Sequence, residues 1–149
     1  MAVKQTTLSS VSLIVLGDDL EPGEITRALG MFPDQDWRKG DVPQIQTPDG
    51  RWIPGPAIAE WGGWKKFIPP VLVDDCLEVQ LDHWANVLAS KAHAIRAFRA
   101  RGWSSTLDCF FTASEPEVAE LKADLLAKLA AIGIDIDINF YPHNDADDL

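Results

Sequence analysis

The sequence predicts an α+β two-layer sandwich, a mainly antiparallel sheet with about three helices on one face, in the order β-α-β-β-(β)-α-β-α-β. Three observations carry that expectation. Ser9–Gly17 is a short, β-branched apolar run of strand type. Leu77, Leu81, Trp84, Leu88, Ala92, Ile95 and Phe98 recur every three or four residues, the period of a helix face. Ile134, Ile136, Ile138 and Phe140 alternate with Asp135, Asp137, Asn139 and Tyr141, which suits a strand with one buried and one polar face.

The intervening elements follow from local chemistry. Glu21-Pro22-Gly23-Glu24 starts a short helix: Glu21 takes the N-cap, proline the first helical position, and Glu24 meets the positive helix end. Ile25, Ala28 and Leu29 supply its apolar face and Gly30 ends it. Between Met31 and Pro70 the clustered prolines forbid a long helix. Thr47-Pro48-Asp49-Gly50 is a turn signal, pairing Val42–Thr47 with Arg51–Ile53 as a hairpin. Gly62-Gly63 reads as a turn leading into a strand over Trp64–Ile68. The long helical stripe bends near Ala89-Ser90 and ends at Gly102, and Trp103–Ala113 follows as a strand with Leu107, Cys109 and Phe111 on one face. Ser114-Glu115-Pro116-Glu117 has capping-box spacing, predicting a helix with a stripe of Val118, Leu121, Leu125, Leu129 and Ile132.

The chain of 149 residues reads as one domain, 1–149, with 1–8 and 143–149 expected to fray. Hydrophobic residues make up 46% and charged residues 24%, a globular balance. Thirteen basic against 23 acidic side chains leave a formal charge of −10, which repels phosphate backbones and argues against a nucleic-acid partner. Cys76 and Cys109 have neither metal nor redox spacing and suit reduced thiols in the cytoplasm. Lys4 ahead of Val11–Leu16 imitates a signal segment, but Ser12 interrupts the run and Gly17-Asp18-Asp19 closes it without a cleavage pattern. No stretch approaches the roughly 20 apolar residues of a membrane helix. A cytoplasmic protein without a membrane partner is the expectation.

Strand, Gly17-Asp18-Asp19-Leu20, the helix signature Glu21-Pro22-Gly23-Glu24-Ile25-Thr26 with Leu29-Gly30, then Trp37-Arg38-Lys39-Gly40-Asp41 and a closing Ile-Asp-Ile strand to Tyr141 together resemble the DUF4279 family. The resemblance runs from about Val11 to Pro142, and Gly50–Gly63 is longer than the family's pattern. It implies this α+β domain and no activity, the family being one of unknown function. Similar small domains beside toxin systems suggest an immunity- or antitoxin-like role.

No catalytic constellation stands out. Nucleophile elbow, Cys–His signature and phosphate loop are missing, and His83 and His93 share no helix face. Asp41, His83 and Asp108 would have to converge from distant segments to make a small hydrolase or ligand-binding site. Asp135-Ile-Asp137-Ile-Asn139 imitates the start of a calcium loop, but Phe140 stands where glycine is needed and Ala146 where the bidentate acid belongs. No catalytic residue, metal site or cofactor is therefore expected.

Two binding candidates emerge. Four of six tryptophans lie between residues 37 and 64, so Trp37, Arg38, Lys39, Asp41, Trp52, Trp61 and Trp64 form a possible protein-binding face, with a cation–π contact at Trp37. The competing reading is that the four indoles seal a sheet edge while Gly40-Asp41 makes a turn. Lys91, Arg96, Arg99 and Arg101 form a possible anion patch, also explained by cations at a helix C-terminus. The expectation is a non-enzymatic module for a partner with a basic face; a homodimeric structural subunit is the further alternative.

Overall fold

The computed structural model describes residues 7–142, so the expectations for 1–6 and 143–149, Ala146 included, lie outside the described residues. It is an α+β fold of strands β1 (Thr7–Gly17), β2 (Gln35–Trp37), β3 (Gln44–Gln46), β4 (Trp52–Pro54), β5 (Gly62–Lys66), β6 (Ser104–Ala113) and β7 (Asp135–Pro142). The helices are α1 (Pro22–Leu29), α2 (Leu77–Leu88), α3 (Ala92–Ala100) and α4 (Ala123–Ile132). Five strands form one sheet in the order β2-β5-β1-β6-β7, and β3 and β4 form a separate hairpin. Pairing is antiparallel except between β6 and β7, which run parallel because α4 returns the chain between them.

β1 is the central strand. Its odd positions Val11, Leu13 and Val15 are wholly buried under the helices. Register carries that helix-side face to Leu107 and Cys109 on β6 and to Trp64 on β5. Thr7 and Leu8 pair with Ala113 and Thr112 instead of fraying, because a ten-residue partner strand satisfies their backbone. α2 is pinned to β1 by Gln80, fully buried, whose Oε1 accepts from Val11 N at 2.8 Å and whose Nε2 donates to Ser9 O at 3.2 Å and Asp75 O at 2.9 Å. Trp84 Nε1 donates to Val11 O at 2.9 Å. The bend falls where the sequence placed it, as a 3₁₀ turn over Ala89–Lys91 that keeps Ile95 and Phe98 on the core.

In α1, Glu21 has the N-cap position without a side-chain capping bond, and Gly30 closes the helix with φ of 68°. Its buried face is Pro22, Ile25 and Leu29; Ala28 faces solvent.

Four expectations need correction. β2 adds a strand that three residues could not announce, since its pairing comes from β5, far along the chain. Gly62 and Gly63 are strand residues, not a turn: a β-carbon at 62 would lie 2.7 Å from Leu20 O. The last helix starts at Ala123, not after Ser114. Ser114 Oγ is buried without a hydrogen-bond partner, and Glu120 N–H donates to Glu78 Oε1 at 2.5 Å. Val118 is 91% exposed, and a helical turn with no apolar surface to cover gains little from forming. Ile134, just before β7, is buried and Ile136 half-buried, but Ile138 and Phe140 are exposed, because the packed core reaches only the start of the strand.

Candidate functional site

The helices leave one sheet face open. On it lie the even positions of β1, among them Ile14 and Leu16, with Lys65 beside Ile14 on β5 and Trp37 beside Gly63 where β2 meets β5. The β3–β4 hairpin leans over this face. It is built on the expected turn, with Gly50 N–H donating to Thr47 O at 2.9 Å and Gly50 at φ 87°. Its base is tied down by Gly40 N to Ala59 O at 2.9 Å and Ala59 N to Asp41 O at 2.7 Å.

Between hairpin and sheet is a cleft of about 530 Å³, with Ile14 and Leu16 as floor, Trp37 and Trp52 as aromatic walls, and Lys65, Asp34 and Asp36 as charged groups. Trp37 is held rather than free: its Nε1 donates to Trp61 O at 3.0 Å, and its ring occupies the space a side chain at Gly63 would need. Ile14 and Leu16 also floor a second hollow of about 720 Å³ on the same face, where Asp108, Asp135 and Asp137 gather with Thr106. The two hollows share Ile14 and Leu16, an aromatic one beside an acidic one, and together they are called the groove. Asn139 Nδ2 donates to Asp108 Oδ1 at 2.5 Å, which steadies that carboxylate.

The tryptophan set divides. Trp37 and Trp52 line the cleft, Trp52 being 48% exposed. Trp61 is exposed and contributes its carbonyl to Trp37. Trp64 is a core residue, completely buried, with Nε1 donating to Thr26 Oγ1 at 3.1 Å; the odd–even alternation of β5 turns it to the helix side. Arg38 pairs with Glu21 at 3.0 Å and Lys39 with Asp18 at 2.5 Å, so both cations face the start of α1. The cation–π contact expected at Trp37 is found at Trp103, with the Arg101 guanidinium 3.8 Å from the ring centre. Asp41 accepts from Arg38 N at 2.8 Å, closing the predicted turn.

The basic cluster does not converge. Arg99 donates to Gly133 O at 2.6 Å, capping the end of α4, and Arg101 reaches back to Glu24 and Asp19. Arg96 is exposed, and Lys91 Nζ lies near Gly30. Asp41, His83 and Asp108 stay apart as well. Asp108 is on the open face, His83 packs edge-on against Trp84 at 5.6 Å on α2, and Asp41 is in its turn. Among the described residues no group of three or more His, Cys, Asp or Glu side chains is placed to hold a metal. Among the described residues no helix is long and apolar enough to cross a membrane.

Sequence reasoning missed Ile14, Leu16 and Lys65, and weighed Asp108 only for a hydrolase site and Asp135 and Asp137 only for a calcium loop. A signal was present: Leu13-Ile14-Val15-Leu16 is apolar at every position, so β1 carries apolar side chains to both faces. A strand of that kind needs some cover on its second face.

Fold and cleft together define a small α+β domain with one sheet face packed by helices and the other partly roofed by a hairpin. Residues 4–143 match the model of DUF4279, a domain of unknown function, and the chain belongs to that family. No curated protein and no solved structure matches it.

Proposed function

We propose that the protein is a non-enzymatic protein-binding module whose open sheet face takes a cationic, partly apolar segment of a partner. The observation that carries this reading is the pair of hollows that share Ile14 and Leu16, with indoles in one and three carboxylates in the other. An apolar side chain gains burial against Ile14, Leu16 and Trp37. A lysine or arginine gains a cation–π contact at Trp52, about 0.5–2 kcal/mol, or an ion pair at Asp108 and Asp137. The net charge of −10 draws a basic partner in. An immunity- or antitoxin-like role is the most concrete version, its partner being a basic protein.

Random-peptide display on the immobilised protein tests the reading. Enriched sequences should join an aromatic or aliphatic residue to lysine or arginine and bind more weakly as salt rises. Trp52→Ala and Asp137→Asn should each weaken them about tenfold, roughly 1.4 kcal/mol, while Trp61→Ala changes little. Failure to enrich such sequences, or binding indifferent to Trp52→Ala, refutes it.

A further inference from the structure

We infer that β7 pairs with β7 of a second copy of this chain, antiparallel, about a two-fold axis through Ile138. β7 is the outer strand of the five-stranded sheet, and among the described residues nothing pairs with its free side. It runs in unbroken register with β6 from Asp135 to Pro142, with no bulge to turn the edge away. Edge strands are ordinarily guarded by charge, proline or a bulge. Here the guards are at the two ends, Asp135 and Asp137 at one and Pro142 at the other. The stretch between is uncharged, and Ile138, Phe140 and Tyr141 are 52%, 54% and 58% exposed.

The residue order selects a second copy as occupant. With the axis at Ile138, that residue meets its own equivalent, Ile136 meets Phe140, Asp137 meets Asn139, and Asp135 meets Tyr141. No carboxylate faces a carboxylate, and every apolar residue on the helix side faces another. Moving the axis to Asp137 sets that carboxylate against itself. Moving it to Asn139 puts Ile136 opposite Pro142, which has no N–H to share. The pairing continues the sheet across the axis, keeps both helix layers on one side and brings the acidic ends of the two grooves together.

Residues facing each other in an antiparallel pair have α-carbons about 4.5–5.5 Å apart, within the span of a disulfide. In a Cys76→Ser background, Ile138→Cys should therefore form a covalent dimer on mild oxidation at least ten times faster than Val118→Cys. Light scattering of the unmodified protein should rise with concentration from the 16.4 kDa of one chain toward twice that mass. Ile138→Lys, which sets two cations on the axis, should raise the dimer dissociation constant at least tenfold. Tyr141→Lys, opposite Asp135, should lower it, and Trp52→Ala should leave it unchanged, which separates this interface from the groove. A mass that stays at one chain up to millimolar concentration, or equal cross-linking at 138 and 118, overturns the inference.

Discussion

Trp37 stands on Gly63 across the β2–β5 pair: a β-carbon at residue 63 would lie 2.1 Å from ring carbon Cζ2. The same relation recurs at Gly17, where a β-carbon would lie 2.1 Å from Trp103 Cδ1. Each glycine is needed for the space above it, and each sets the position of an indole. Gly63→Ala should cost about 1–3 kcal/mol, since overpacking against a fixed ring forces it or the backbone to move. Urea denaturation measures the loss. In a Trp37→Ala background the same substitution should cost much less, and equal penalties in the two backgrounds would show that the ring is not the cause.

The split among the tryptophans is testable by stability alone. Trp64→Ala empties a fully buried site and should cost about 3–5 kcal/mol. Trp52→Ala, at a half-exposed position, should change stability by no more than about 0.5 kcal/mol while impairing the groove. Thermal melts of the two variants should therefore differ widely.

Gln80 is the polar link between α2 and β1. Gln80→Leu keeps the size but leaves Val11 N–H without its acceptor, whereas Ser9 O still accepts from Asp74 N and Asp75 O from Ser9 Oγ. Leaving that buried amide unpaired should cost about 1–3 kcal/mol. Hydrogen exchange at the Val11 amide should accelerate, and an unchanged rate would mean another acceptor had replaced the carbonyl of Gln80.

Asp19 titrates below the usual carboxylate range, chiefly because Trp103 Nε1 donates to it at 2.7 Å, with Arg101 assisting. A lowered pKa in the folded state contributes stability above the unfolded value, and that contribution is lost as pH falls through the folded value. Trp103→Phe keeps the ring but removes the donor, so the Asp19 midpoint should rise. Carboxyl NMR titration reads that shift. The stability difference between the two proteins should shrink as pH drops below about 4.

The two thiols should react unequally. Burial pushes Cys109 up to about 12, with Asp108 and Asp137 adding to the effect, whereas Cys76 is exposed. Partial desolvation still raises Cys76, so its thiolate is scarcer than in a free peptide. At pH 8 an aromatic disulfide reagent should titrate one thiol in the native protein, slowly, and two after unfolding. Rapid labelling of both in the folded state would contradict the burial of Cys109.

What local chemistry dictates was legible in the sequence. The alternating and helical periods located β1, α2, α3, β6 and β7, and glycine and proline placed the ends of α1, the hairpin turn and the bend at Ala89-Ser90. The family model matches residues 4–143, a span that holds all of them. Tertiary structure decided the rest, because it depends on partners distant in the chain. The parity of β5 against β1 sent Trp64 to the core and left Trp37 over Gly63. Glu78 took the amide of Glu120, and α4 began late. The packed core reached only the start of β7, so a strand with a buried pattern kept Ile138 and Phe140 in solvent. The groove itself joins β1, the hairpin and β7, segments that no local rule places side by side. Periodicity tells which side chains share a face; only the packed fold decides what covers that face.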